Sequence, residues 1–177
     1  FSRAKKALEE SVTKNLDTVS LQVSKDIKNV NDAEFALLHL LATTPSMRSE
    51  EVPISEKCQM FKHYIDANKK KNENIAFYDT EGNTYLPNGK PLQLKGKPYI
   101  DIPIQTGKDY IQDPAFSTVN NAVIMFMSVP VYNMQNKPIG CVVAVIKGNV
   151  LNEVVKSIEV TKGYHPNIIN RINNEII

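Results

Sequence analysis

Two long runs of apolar and β-branched residues stand out in the second half of the chain, at 122–132 and 138–146. The residues between them, 133–137, favour a turn, because asparagine tolerates left-handed backbone angles and caps its own turn. Together the two runs predict an antiparallel β-hairpin. The second run is almost free of polar residues, which predicts a central strand covered on both faces. Pro130 cannot donate to a ladder, so we expect a bulge or a strand end near it.

The first part of the chain carries the spacing of an α-helix. From Leu8 to Val30 apolar residues follow one another at intervals of 4, 4, 3, 4, 4 and 3, a period that keeps one stripe on a nearly straight helix. Residues 35–41 are apolar on nearly every side, and Pro45 ends the pattern. We predict one helix of about forty residues. Its first half is too long and narrow-striped for a small domain to cover, so we expect it to pack on a partner helix in a homodimer.

Shorter elements fill the rest of the chain. Pro53 suits the first turn of a helix predicted from about residue 54 to residue 70. Its buried stripe would be Ile54, Cys58, Phe61 and Ile65. Gly82 suits the turn of a strand–turn–strand unit between 74 and 86, and residues 87–96 are expected to be irregular.

The same reading completes the order of elements. Residues 97–116 are taken as irregular chain that lies against the sheet, and a last amphipathic helix is predicted from Asn149 to about Gly163. Its buried stripe would be Leu151, Val154, Val155 and Ile158. Sequential antiparallel strands, with helices segregated to one side, indicate an α+β domain around one sheet.

Composition and charge narrow the class of protein. With 42% hydrophobic residues in 177, the chain can bury a core and is not disordered. A formal charge of +2, evenly spread, gives no reason to expect a nucleic-acid partner. No apolar stretch reaches the roughly 18 residues that span a bilayer. Because the chain begins inside a predicted helix, we expect it to be a soluble piece whose membrane-attached flanks lie outside it.

Isolated residues that could carry chemistry have simpler interpretations. His39 lies in the apolar end of the long helix, where we expect a buried, hydrogen-bonded histidine. The lysines at 69–71 are expected to form a solvated helix end. Cys58 and Cys141 match no metal or redox spacing, so two reduced core thiols are expected, and a disulfide between them stays open.

The sequence contains no catalytic motif. It lacks a Gly-x-Ser-x-Gly elbow, a phosphate-binding glycine-rich loop, paired zinc histidines and an Asp-rich calcium loop. Because nothing argues for an enzyme, we expect no cofactor, no metal and no enzymatic activity. The alternative is an enzyme whose site matches no recognised motif.

The segment around 97–113 is the best candidate for a binding site. Its polar and amphipathic members are Lys97, Tyr99, Tyr110 and Asp113. The strand residues that could face them are Phe77, Phe126 and Ser128. An apolar and aromatic cavity with few polar groups is what a small-molecule site requires. The alternative is that both tyrosines pack with their hydroxyls at the rim while Lys97 points into solvent.

Five stretches, in this order, carry a resemblance to a known family. They are 76–83 (AFYDTEGN), 97–99 (KPY), 110–114 (YIQDP), 129–133 (VPVYN) and 137–143 (KPIGCVV). Over about residues 1–160 the chain resembles the Cache family, the PAS-like extracellular sensor domains of bacterial and archaeal chemoreceptors, sensor kinases and cyclic-dinucleotide enzymes.

The resemblance implies a PAS-like antiparallel sheet with a long dimerising helix and flanking helices, and a ligand held between the sheet and residues 95–116. Lys97 stands where many relatives carry an arginine that binds a ligand carboxylate, and lysine keeps the charge without the bidentate fork. Amino-acid-binding relatives carry two aspartates for the ligand amine where this chain has Ser117 and Val145. The resemblance therefore implies a small organic anion or an uncharged metabolite rather than an α-amino acid.

The expected function follows from this family. Residues 1–48 would be the signalling helix, 49–162 the sensor module, and 163–177 the stub of a membrane-proximal module or a linker. The chain would be the extracytoplasmic ligand-sensing domain of a transmembrane receptor in chemotaxis or another signal-transduction pathway. The alternative is a ligand-free dimerisation module of such a receptor.

Overall fold

The computed structural model describes residues 2–118, 120–156, 158 and 167–169. The chain divides into two compact units, one made of residues 1–32 and 149–177 and the other of residues 33–148. The second unit contains the sheet and all the candidate site residues. The predicted stub at 163–177 lies largely outside the described residues, so it stays a prediction.

Helices and strands follow one another in separate runs along the chain, as in an α+β fold. The helices are α1 Ser2–Ala42, α2 Pro45–Arg48, α3 Ile54–Met60, α4 Lys62–Ala67, α5 Pro98–Thr106 and α6 Asn149–Lys156. The strands are β1 Asn72–Asp79, β2 Asn83–Tyr85, β3 Pro91–Gln93, β4 Tyr110–Ile111, β5 Ala115–Ser117, β6 Ala122–Tyr132 and β7 Pro138–Lys147. The predicted fold class is confirmed.

The long helix is continuous, as the eleven-residue period predicts. Its apolar stripe is exposed in the first half, where Leu8 is 66% and Leu16 is 51% exposed, whereas Leu38 near the end is fully buried. The pairing of this stripe with a second copy stays a prediction. Within the described residues, no helix combines the length and the hydropathy of a membrane span.

The main sheet is built on the predicted hairpin. Its strand order is β1-β7-β6-β4, with β5 also pairing with β6, and every pairing is antiparallel. Strand β7 lies between two others and is buried along most of its length, which confirms the prediction of a covered central strand. Asn136 takes the left-handed conformation, with φ 60°, in the turn. The register shifts between Val131 and Tyr132, next to Pro130.

The prediction of one continuous helix from about residue 54 to residue 70 is wrong. It breaks at Phe61 into α3 and α4, because the Phe61 N–H bonds back to the carbonyls of Cys58 and Gln59 and the ring is buried in the core. A lysine missing from the predicted stripe is also buried. The Lys57 ammonium lies 4.2 Å from the centre of the Phe77 ring. Burial lowers the pKa of Lys57, and the nearby Glu50 carboxylate opposes that shift.

The two segments expected to be irregular both contain regular structure. Within 87–96, strand β3 pairs with β2, and the Leu86 N–H donates to the Lys90 carbonyl at 2.9 Å to close a small hairpin. Within 97–116, helix α5 forms because Pro98 suits its first turn and Gly107 ends it. Gly107 has φ 69°, and a Cβ there would lie 2.5 Å from the Tyr132 hydroxyl. Glycine is therefore favoured at this C-cap.

Two isolated residues, His39 and Lys71, differ from expectation, whereas both cysteines are reduced thiols as expected. His39 is hydrogen-bonded but not buried: its side chain is 47% exposed, and Nε2 lies 2.8 Å from Asp109 Oδ2. Lys71 is not part of a solvated end, because it forms an ion pair with Glu34, whose side chain is 1% exposed. Cys58 and Cys141 are both free thiols, and Cys141 is fully buried.

Candidate functional site

One face of the sheet and helix α5 form the candidate site, called here the sheet-face site. Successive side chains in a strand point to opposite faces, and directly paired residues share a face. The registers place these residues on the same face: Ala76 and Tyr78 of β1, Cys141 and Val143 of β7, Phe126 and Ser128 of β6, and Tyr110 of β4. Tyr99 and Ile100 of α5 are buried in the same cluster.

An aromatic stack closes the middle of the site. The rings of Tyr99 and Phe126 are parallel to within 3°, and their centres are 4.1 Å apart. Pro98 fixes the first turn of α5 and so places Tyr99, the second helical residue, over the sheet. Burial raises the pKa of the Tyr99 hydroxyl further above neutral pH, and the protonated hydroxyl can donate a hydrogen bond. Tyr99 and Phe126, both predicted site residues, are therefore in contact, and their rings fill the space between α5 and the sheet.

A polar group lies at the floor of the site. Ser128 is 0% exposed, and its hydroxyl has no hydrogen-bond partner among the described residues. Ser128 pairs with Tyr110 on one side and with Val143 on the other. A buried hydroxyl without a partner costs about 1–3 kcal/mol. The arrangement can therefore bind a polar atom of a ligand at this position, beside the half-buried Tyr110.

The two charged residues of the predicted site lie on its outer edge. Lys97 is exposed at the N-cap of α5, where its carbonyl accepts bonds from the N–H groups of Ile100 and Asp101, both at 2.9 Å. Asp113 is exposed in the chain between β4 and β5. Both charges are available to a ligand that reaches the rim, and neither lies in the buried part.

Phe77 does not belong to this site. It pairs with Val142, one register position from the Ala76–Val143 pair, and so points to the opposite face of the sheet. The neighbouring Tyr78 occupies the position that was predicted for Phe77, and it is 7% exposed. Burial raises the pKa of the Tyr78 hydroxyl well above its ordinary value. Strict alternation from Ala76 could have identified Tyr78, but three successive core residues at 76–78 leave the phase of that alternation open.

Asp101 is a second residue that the sequence did not indicate. It lies in the first turn of α5, and its Oδ1 accepts from the Gly96 N–H at 3.3 Å. Burial raises the pKa of Cys141, and the Asp101 carboxylate adds to that shift. The carboxylate therefore acts electrostatically on a buried group of the site from the helix side, and Lys97 is the N-cap of the same helix.

Known proteins resemble this chain in structure but not detectably in sequence. No protein-family model matches the chain, and no curated protein does. The sensory domain of the Campylobacter jejuni chemoreceptor Tlp3 covers 98% of the chain with a TM-score of 0.71 and 18% identity. The same domain with isoleucine bound covers 97%, with a TM-score of 0.70 and 20% identity.

A third solved structure comes from another organism. The ligand-binding domain of the Pseudomonas aeruginosa amino acid chemoreceptor PctC, in complex with GABA, covers 84% of the chain with a TM-score of 0.65 and 12% identity. The chain has the fold of a chemoreceptor sensory domain. This confirms the PAS-like sheet with a long N-terminal helix that the resemblance to Cache domains implied.

The chain spans only part of the length of the solved sensory domains that it matches. The chain spans 71–73% of the length of the two Tlp3 domains, 66% of PctC and 64% of the Tlp3 domain in complex with 4-methylisoleucine. Within the described residues, no group of three or more His, Cys, Asp and Glu side chains is placed to hold a metal ion.

Proposed function

We propose that the chain is the extracytoplasmic ligand-sensing domain of a transmembrane signal-transduction receptor and is not itself an enzyme. It binds a small organic molecule, in particular an anion, between the sheet and residues 95–116. The fold supports a sensory role. The neighbours Tlp3 and PctC are chemoreceptor domains solved with isoleucine and with GABA, respectively.

The observation that carries the proposal is the Ser128 hydroxyl. It is fully buried without a partner among the mainly apolar and aromatic side chains of this face, and the cost of such a group is recovered when a ligand bonds to it. Phe126, two residues away, and Tyr99 supply flat apolar surface, and Tyr110 supplies a second hydroxyl. A few polar groups in an apolar, aromatic setting are typical of small-molecule sites.

The preference for an anion rests on Lys97. Its ammonium is exposed on a flexible stem at the N-terminus of α5, where helix geometry also favours negative charge. Asp113 and Asp101 work against an anion, and Ser117 and Val145 add no carboxylate for a ligand amine. A ligand fits these groups when its carboxylate binds Lys97 at the rim and its apolar part packs against Tyr99.

Ligand entry requires the stacked rings to separate, so binding and a change of conformation are coupled. A ligand shifts such an equilibrium only by its difference in affinity for the two states. The segment 95–116 contacts α1 directly, since Asp109 bonds to His39 at 2.8 Å. We expect a saturating ligand to change hydrogen exchange at residues 35–42, and His39→Leu to reduce that change. Equal responses in both proteins would rule out this contact as the route.

The experiment that tests the proposal is a thermal-shift screen against small organic acids, amino acids, amines, purines and sugars. A ligand at one hundred times its Kd adds about 2.7 kcal/mol, which raises Tm by several degrees. Lys97→Ala should abolish stabilisation by an anion, and Lys108→Ala, an exposed lysine of the same segment, should not. Stabilisation that survives Lys97→Ala would keep the sensor and reject the role of Lys97. No stabilisation by any compound would reject the sensor.

A second candidate function is a ligand-free dimerisation module. The exposed stripe on α1 favours it, because Leu8, Val12 and Leu16 are 49–66% exposed. In that case Val19→Glu should dissociate the dimer in sedimentation experiments, whereas Ser20→Glu, an exposed neighbour, should leave it intact. Dimer loss together with a negative ligand screen would decide for this candidate.

A further inference from the structure

A cavity of about 330 Å³ opens at the free edge of β1, between helices α3–α4 and the β2–β3 hairpin. We call it the edge cavity. Ile65 of α4, Ile75 of β1 and Leu86 of the hairpin turn form its apolar surface. This volume lies within the range of small-molecule sites. None of the seven residues predicted for the sheet-face site lines it.

The lining of the edge cavity contains more acidic than basic side chains. Two carboxylates line it from different elements, Asp66 from α4 and Glu73 from β1, and Lys62 contributes an ammonium one helical turn from Asp66. Each carboxylate also has a lysine outside the lining: Lys69 lies 3.1 Å from Asp66, and Lys147 lies 3.4 Å from Glu73.

These outer ion pairs leave the carboxylates able to bind a second cation. The Asp66 and Glu73 side chains are 49% and 41% exposed, so each pair is weak. A carboxylate has about four acceptor positions, and one ammonium uses only part of them. Lys62 is exposed, and its long stem lets its ammonium extend into water.

We infer that the edge cavity is a second binding site, which takes a small organic amine with an apolar body. The ligand ammonium lies between Asp66 and Glu73, and its hydrocarbon part covers Ile65, Ile75 and Leu86. This preference is opposite to that of the sheet-face site, where the exposed Lys97 is the N-cap of the covering helix. The inference does not depend on the proposed function.

The chain carries its own reporter of occupancy. Cys58 lines the edge cavity and is partly exposed, whereas Cys141 is fully buried under the sheet face. The Cys58 sulfur lies 3.6 Å from the Phe77 carbonyl oxygen, at the edge of β1. A molecule in the cavity should therefore slow alkylation of Cys58 and leave Cys141 unmodified.

The experiment uses 3-methylbutylamine as the probe, with 3-methylbutanoate and 3-methylbutanol as compounds with the same apolar body and different charge. Iodoacetamide labelling of Cys58 is followed by mass spectrometry while each compound is titrated to tens of millimolar. We expect the amine to slow labelling at least threefold at concentrations where the other two compounds have no effect. Equal effects of all three compounds, or no effect of the amine, would overturn the inference.

Matched variants locate the site. Asp66→Asn/Glu73→Gln should weaken protection by the amine about tenfold, and Lys62→Gln should strengthen it. The control Asp32→Asn/Glu81→Gln removes two exposed, lysine-paired carboxylates outside the cavity and should leave protection unchanged. Equal weakening by both double variants would show a general charge effect and reject the site. Ser128→Ala should leave amine protection intact, which separates this result from any failure of the sheet-face site.

Discussion

The sheet-face site and the edge cavity belong to the same compact unit but are built in opposite ways. Under α5, Tyr99 and Phe126 stack at 4.1 Å and fill the space with their own rings. Beside β1 the walls stand apart, and the carboxylates that line the cavity are nearly half exposed. One region is filled by its own side chains, whereas the other holds an open cavity.

This difference bears on which region can signal. A ligand that replaces the Tyr99–Phe126 contact must favour a rearranged state, and that difference in affinity is what shifts a conformational equilibrium. A ligand in the edge cavity finds a space that is already formed, so it can bind without shifting the fold. We therefore expect the sheet-face site to be coupled to α1 and the edge cavity to bind independently.

The largest expected effect comes from breaking the stack. Tyr99→Ala removes a buried ring and should lower the free energy of unfolding by about 3 kcal/mol. Leu86→Ala removes a partly exposed side chain at the edge cavity and should cost less than about 1 kcal/mol. Urea unfolding of both variants measures the difference. Similar costs would mean that the sheet-face site is no better packed than the edge cavity.

The second-largest expected effect is a loss of stability at alkaline pH, caused by buried groups of the sheet-face site. Burial raises the pKa of Cys141, Tyr78 and Tyr99, so these groups keep their protons in the folded state. In the unfolded chain they ionise near pH 8.5 for the thiol and near pH 10 for the phenols. Above those values the unfolded state binds fewer protons, so the free energy of unfolding falls as pH rises.

The size of this effect is about 1.4 kcal/mol per pH unit for each group that ionises only on unfolding. Tyr99→Phe removes one such group, so its stability should fall less steeply than that of the wild type between pH 10 and 11. Urea midpoints measured from pH 8 to 11 give the slopes. Identical slopes above pH 10 would show that the Tyr99 hydroxyl ionises in the folded protein as it does in water.

The sequence predicts the local elements well because their patterns are local. The spacing from Leu8 to Val30 is sufficient for α1, and the runs on either side of 133–137 are sufficient for the central hairpin. Helix α5 was not predicted, because it contains prolines at 98 and 103 and proline within a segment suggests irregular chain. Pro98 instead begins the helix, and Gly107 ends it.

The composition of the site depended on register. Tyr99, Tyr110, Phe126 and Ser128 were predicted and do come together, whereas Phe77 lies on the opposite face and Tyr78 takes its place. A shift of one residue moves a strand's entire set of side chains to the other face. The edge cavity could not be predicted, because its walls come from separate elements whose packing no local pattern describes.

The smallest expected effect is the most direct test of what Ser128 does. Without ligand, Ser128→Ala removes a buried hydroxyl that has no partner, and it should raise the free energy of unfolding by about 1 kcal/mol. With a ligand found by the thermal screen, the same variant should lose part of the ligand's stabilisation. Ser55→Ala, at the edge cavity, should change stability by less than about 0.5 kcal/mol. If Ser128→Ala is destabilising instead, the hydroxyl has a structural partner in the fold, and the sheet-face site loses the group that argues most strongly for a ligand.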